Sequence, residues 1–213
     1  MSGVLGPAIL AAGAFVLAPS EPVSRPAAAV SAPAKPGGGA HLTVKGRKLF
    51  YRISGSGPDL LLMHGGLGSS DDFEKIVPIL SRKFRVIAYD RSGHGRSPDS
   101  GEPFRYEVMA EEAEAFLEAL GVTSTAVLGW SDGGVIGYHL ASRHPRLVTK
   151  LVAIGANTRV DGMAAETVEW LRSRSTGASL LADLPEVAAR YRRLSPNPGH
   201  LESFLLRSRD LWL

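Results

Sequence analysis

An α/β fold, a mainly parallel sheet with helices on both faces, is what this sequence predicts, and three observations predict it. Apolar runs of strand length alternate with helical periodicity from His41 to Ile154. One of those runs, Leu60-Leu61-Leu62-Met63, is continuous rather than alternating, as a parallel strand covered on both faces is. Of the loops after Met63, Tyr89, Leu128 and Ile154, three are polar or rich in glycine. All four would lie at the carboxyl edge of the sheet, where such folds bind ligands.

Taken in order, His41 to Ile53 reads as two short strands turned at Lys45-Gly46-Arg47. After Leu60–Met63 comes the loop His64-Gly65-Gly66-Leu67-Gly68-Ser69-Ser70, and Asp72 to Ser81 reads as a helix. The strand Arg85–Tyr89 leads into the polar loop Asp90–Ser100. Glu107 to Leu120 is helical: Val108, Met109, Ala113, Phe116, Leu117 and Leu120 form one face, acidic residues crowd its first half, and Gly121 ends it. Ser124 to Leu128 is a buried strand, Val135 onward a helix ending near Arg143-His144-Pro145, and Leu147 to Ile154 a further strand. Residues 41–156 thus form the core. From Asn157 the strands stop, and residues 157–213 read as a helical lid whose Trp170, Leu171, Leu180, Leu181, Phe204, Leu205, Leu206 and Trp212 pack over the sheet.

The first forty residues differ in kind. Val4 to Ala18 is apolar, but it is too short and too interrupted by Gly6, Pro7 and Gly13 to span a bilayer. Its length suits a signal peptide, with Ala27-Ala28-Ala29 offering a cleavage site, yet no Lys or Arg precedes it. Export and cytoplasmic residence both stay open. Pro19 to Ala40 is a Pro/Ala/Gly-rich linker.

Composition excludes several classes. With 44% hydrophobic and 21% charged residues the chain has the make-up of a globular protein. The net charge of +3 is spread evenly, +1 in each of residues 1–40, 41–158 and 159–213, so no concentrated basic face is available for nucleic acid. The absence of cysteine rules out disulfides and thiolate metal sites.

The chemistry centres on Gly129-Trp130-Ser131-Asp132-Gly133-Gly134. A strand precedes this G-x-S-x-G and a helix follows, which is the context of a nucleophile elbow: a turn so tight that its flanking positions must be glycine. Ser131 is the candidate nucleophile. Together with His64-Gly65-Gly66 and Asp90-Arg91-Ser92-Gly93-His94-Gly95-Arg96-Ser97, in this order and spacing, the elbow resembles the α/β-hydrolase superfamily. The Asp after the serine, with Gly155-Ala156-Asn157 downstream, resembles its valacyclovir hydrolase (biphenyl hydrolase-like) branch.

That resemblance implies an α/β-hydrolase fold with a helical lid, and acyl transfer on a small ester through an acyl-enzyme. It implies no metal and no organic cofactor. The oxyanion would be held by the backbone N–H of Asp132 and by that of Gly66 or Leu67, each such donor typically contributing about 2.7–4 kcal/mol. Asp132 and Trp130 are the candidate substrate-binding residues. The Asp132 side chain either holds a substrate ammonium, favouring α-amino acid esters, or complements the positive end of its own helix. Asp90, Arg91 and His94 read as residues that fix loops, the first two through charge-assisted hydrogen bonds. Haloalkane dehalogenation is disfavoured, because the elbow carries serine rather than a carboxylate.

A serine hydrolase of this fold also needs an acid and then a histidine, following the nucleophile in the chain. Neither signature occurs before Leu213, so the expectation is a fold truncated before its last two strands. His139 lies eight residues beyond Ser131, about 12 Å along one helix. His144 reads as a helix-end residue and His200 as a lid-turn residue, while His41 and Asp161 carry no supporting motif. The strand Leu147–Ile154 would be left as an exposed apolar edge. A truncated gene, a partner chain that supplies the missing strands, and a catalytically inactive ligand-binding remnant all remain open.

Overall fold

The computed structural model describes residues 38–213. The apolar run Val4–Ala18, the Ala27–Ala29 cleavage site and most of the linker lie outside the described residues. Six strands, β1 (Ala40–Val44), β2 (Arg47–Ser54), β3 (Asp59–Met63), β4 (Arg85–Tyr89), β5 (Thr125–Trp130) and β6 (Val148–Ile154), form one sheet in the order β1-β2-β4-β3-β5-β6. The β1–β2 and β2–β4 pairs are antiparallel, and the other three are parallel. The β1–β2 turn is the two-residue loop Lys45-Gly46. Both residues have positive φ, 47° and 75°, so the hairpin turns with the twist of its strands.

The continuous apolar strands are explained by what covers each face. Leu61, Met63, Ile87, Tyr89 and Val127 face α2 (Tyr106–Ala119) and α3 (Asp132–Arg143), which supply Ala113, Phe116, Leu117, Ile136 and Leu140. Leu60, Leu62, Val86 and Ala88 face the opposite way, against Phe73, Val77 and Leu80. Residues 72–81 do not form one helix. They divide into a 3-10 turn, Ser70–Phe73, and a single turn, α1 (Val77–Leu80). Pro78 lies inside the predicted span. It has no N–H to donate, and its ring opposes the carbonyl four residues back, so a continuous helix through it is barred.

On the α1 side the cover stops short. β6 is an edge strand, and Trp130 and Val152 are 48% and 44% exposed. After β6 come only helices: α4 (Ala165–Ser173), α5 (Gly177–Asp183), α6 (Pro185–Leu194) and α7 (Leu201–Trp212), with short 3-10 turns at Val160–Gly162 and Pro198–His200. They bury a small core of their own, Leu180, Ala188, Tyr191, Leu201, Phe204 and Leu205, which packs on Leu67 and Phe104 of the sheet's loops. Arg207 of α7 fixes this segment to the loop after β4 by donating to the Asp99 carboxylate and the Glu102 carbonyl. No helix of the described residues is long and apolar enough to cross a membrane.

Candidate active site

Ser131 joins β5 to α3 with φ 52° and ψ −121°, a conformation rare for a side chain larger than glycine. The turn is held by the Ser131 N–H donating to the Ile154 carbonyl at 2.8 Å and by the Ser131 carbonyl accepting from Gly134 N–H at 2.8 Å. The glycines around it are required by close approach. A Cβ on Gly133 would lie 2.0 Å from the Met63 carbonyl oxygen, and one on Gly129 would lie 2.3 Å from that of Gly133. Helix α3 therefore starts directly against the end of β3.

That contact brings the loop after β3 beside the serine. A Cβ on Gly65 would be 3.4 Å from Ser131 Cβ, and one on Gly66 would be 2.6 Å from Asp132 Oδ2. Among the described residues, the N–H groups of Gly66, Leu67 and Asp132 donate to no protein acceptor. The carbonyls of His64 to Leu67 are all engaged. Arg91 donates to the His64 carbonyl and, at 3.0 Å, to that of Gly65. His94 Nε2 lies 2.6 Å from the Gly66 carbonyl, and Arg190 of α6 donates to that of Leu67. Because a trans peptide points its N–H opposite its C=O, engaging the Gly65 and Gly66 carbonyls from behind aims the N–H groups of Gly66 and Leu67 the other way.

Arg91 is fully buried and forms no ion pair among the described residues, spending its charge on those carbonyls. Asp90, also fully buried, accepts from Ser70 N–H at 2.7 Å and Arg96 N–H at 2.8 Å. Asp90 and Arg91 thus tie the loop after β3 to the loop after β4 at its two ends, Ser70 and His64–Gly65. His64 accepts the Arg91 N–H at Nε2, and its Nδ1 lies 2.8 Å from the Gly65 carbonyl. Burial, reinforced by Arg91, holds the His64 pKa well below its ordinary value and that of His94 down to about 3, so both rings are neutral.

A cavity of about 570 Å³ opens over Ser131 and Asp132, walled by Tyr106, His139, Trp170 and Trp212. The Asp132 carboxylate is buried. It accepts the Tyr106 hydroxyl at 3.0 Å and the Trp212 indole N–H at 2.9 and 3.0 Å, and it forms no ion pair among the described residues. Burial and this carboxylate push the Tyr106 phenol far up, so it stays a donor. Tyr106 and Trp212 are functional neighbours that sequence reasoning missed, since nothing in an isolated aromatic residue announces a partner 26 or 80 positions away. Trp130 points elsewhere: its indole lies beside Gly155, outside the cavity lining. The Leu67 side chain turns into the α5–α7 core.

No histidine stands against Ser131. His64 and His94 hold loops, His144 pairs with Glu114 at 2.8 Å, His200 lies 3.5 Å from Asp99, and His41 lies 3.4 Å from the Arg96 carbonyl. His139 does line the same cavity, but it faces Glu107 at 3.9 Å. Asn157 and Asp161 are engaged near the cavity mouth, with the Arg159 carbonyl and guanidinium respectively. No cluster of three or more His, Asp or Glu side chains placed to hold a metal ion occurs among the described residues.

With this geometry established, comparison with known proteins is informative. A family profile described as the alpha/beta hydrolase fold matches residues 58–201. The chain is 35% identical over 142 residues to the serine hydrolase BPHL of Homo sapiens, covering 64% of this chain and 49% of that protein. It is 37% identical over 113 residues to the uncharacterized hydrolase YraK of Bacillus subtilis (strain 168), covering 52% of this chain and 42% of that one. The chain spans about half the length of these curated relatives. Among solved structures, a putative ancestral haloalkane dehalogenase superposes with a TM-score of 0.70 at 22% identity, over 81% of this chain and 69% of that one. At that identity the likeness shows fold alone.

Proposed function

The chain belongs to the α/β-hydrolase family, and from that premise we propose that it carries the nucleophile half of a serine hydrolase acting on small esters. The observation that carries the reading is the pairing of a serine held at φ 52° with unengaged N–H groups from two separate segments. In the proposed reaction Ser131 Oγ attacks the ester carbonyl. The tetrahedral oxyanion is held by the N–H of Asp132 and that of Gly66 or Leu67. The alcohol then leaves, and water hydrolyses the acyl-enzyme. Helices α4–α7 act as a lid that walls the cavity.

The proposal extends to the substrate. Asp132 is a buried carboxylate with two neutral donors and, among the described residues, no cation, open to the cavity beside the nucleophile. A substrate ammonium would supply the missing charge, which favours α-amino acid esters.

The general base is proposed to come from outside the six histidines of this chain, on a partner chain or on further polypeptide. That same feature supports a second reading, a ligand-binding remnant without turnover. Reaction with a fluorophosphonate separates them, with free imidazole added as a surrogate base. The hydrolase reading expects a mass adduct on Ser131 that forms faster as imidazole rises and is lost in Ser131→Ala. Saturable binding of an aminoacyl ester with no adduct at any imidazole concentration would favour the remnant.

A further inference from the structure

Arg190 lies on α6, remote in sequence from every motif of the site, yet it reaches the loop that lines the nucleophile. Its guanidinium donates through one nitrogen to Asp72 Oδ1 at 2.6 Å and through the other to the Leu67 carbonyl. Asp72 is itself built into this loop. Its other oxygen accepts the Ser69 N–H at 3.1 Å and closes a capping box, and a Cβ on Gly68 would lie 2.1 Å from that oxygen. The next peptide completes the turn, with Gly68 N–H donating to the Gly65 carbonyl at 3.1 Å.

We propose that Arg190 is a positioning residue of the oxyanion hole, so that the hole is fully formed only while α6 is docked on the loop. The proposal rests on the reading of Ser131 as nucleophile. The physical argument is that three successive peptide units must be oriented together. Arg91 and His94 orient the units that carry the Gly66 and Leu67 N–H groups, and both come from the loop after β4. The third unit, Leu67–Gly68, would be free to flip without a donor on the Leu67 carbonyl. A flip would break the Gly68 to Gly65 bond and release the turn. Among the described residues only Arg190 supplies that donor. An ion pair with Asp72 alone would be a partly exposed clamp of small effect. The forked guanidinium serves both acceptors at once, which a lysine ammonium reproduces poorly.

The test uses the full chain as wild type, Arg190→Gln and Arg190→Lys, with two readouts. In amide hydrogen exchange, Arg190→Gln is expected to accelerate Gly68 by about tenfold or more while the β3 amides Leu61 and Leu62 stay at the wild-type rate. In fluorophosphonate labelling with imidazole present, the same variant is expected to slow the Ser131 adduct about tenfold, less than the loss from deleting a donor outright. Arg190→Lys, which keeps a cation for Asp72, is expected to recover neither fully. Gly68 exchange unchanged in Arg190→Gln, or rising only in step with β3, would overturn the proposal. So would full recovery by lysine, or a labelled wild type matched in rate by Arg190→Gln. A wild type that never labels would instead overturn the catalytic reading of the hole, and this inference along with it.

Discussion

The indole N–H of Trp212 donates to both oxygens of the Asp132 carboxylate, at 2.9 and 3.0 Å, and the Tyr106 hydroxyl donates to one of them. Three elements thereby meet at one buried charge: the start of α2, the start of α3 and the end of α7. Two neutral donors orient the carboxylate without neutralising it, which leaves it fixed and without a counter-ion among the described residues. A salt-bridged aspartate would already hold its cation, and a flexible one would not be fixed.

Removing the Tyr106 hydroxyl should therefore cost stability through Asp132. A hydrogen bond to a charged group contributes about 1.5–3 kcal/mol, so Tyr106→Phe should lower the urea midpoint accordingly. In an Asp132→Asn background the same change should cost less, and the double-mutant coupling should reach about 1 kcal/mol. Equal costs in both backgrounds would mean that the hydroxyl does not act through this carboxylate.

Asp132 should also decide substrate choice. An aminoacyl ester should bind the chain more tightly than its des-amino analogue, and Asp132→Asn should remove the difference, as an exposed-to-buried ammonium–carboxylate pair is worth at least about tenfold in affinity. Calorimetric titration of Ser131→Ala, which prevents acyl transfer, measures this directly. An unchanged preference in Asp132→Asn would assign the carboxylate to its helix terminus alone.

Acid should destabilise the fold through His64 and His94. Both are neutral in the folded chain because burial and Arg91 depress their pKa values. Below about pH 6.5 the unfolded chain binds protons that the folded chain refuses, so stability falls as pH falls. For His94 the loss continues toward its folded value of about 3. Each ring contributes a slope of up to about 1.4 kcal/mol per pH unit. Unfolding free energies measured between pH 7 and pH 5 should show this slope, and His94→Asn should roughly halve it.

How far the sequence revealed all this depends on how local each feature is. The sheet was legible because burial on both faces leaves continuous runs such as Leu60–Met63. The elbow was legible because close approach to the start of α3 permits only glycine at Gly129, and close approach to β3 permits only glycine at Gly133. The break at Pro78 was present in the sequence but outweighed by the helical periodicity around it. The contact of Trp212 with Asp132 and the reach of Arg190 to Leu67, 123 residues away, were not legible, since they depend on how α4–α7 lie over the sheet, and the contact of Tyr106 with Asp132 depends on how α2 lies beside α3. Trp130 lies outside the cavity lining for a related reason: its neighbours Ser131 and Asp132 turn into the cavity, while its own side chain still follows the strand's alternation onto the uncovered face.

Strain at the nucleophile gives the last prediction. Ser131 holds a backbone conformation, φ 52° and ψ −121°, that costs a residue with a Cβ about 1–3 kcal/mol and costs glycine little. The conformation persists because the Ile154 carbonyl, the Gly134 N–H and the packing of Gly133 on β3 all fix the same turn. Ser131→Gly should consequently be more stable than wild type, even though it deletes a side chain and loosens the unfolded state, a change that elsewhere costs about 0.4–1 kcal/mol. The net gain should approach 1–2 kcal/mol at most, roughly 2–8 °C in melting temperature for a domain of this size. Ser131→Ala, which keeps the Cβ, should show no such gain and is the comparison that isolates strain from the loss of the hydroxyl. If glycine and alanine melt together, the turn is relaxed and the serine is held there by sequence alone. If glycine is the more stable, the chain maintains a strained residue at the mouth of its cavity, and folding stability is being given up for the placement of one hydroxyl.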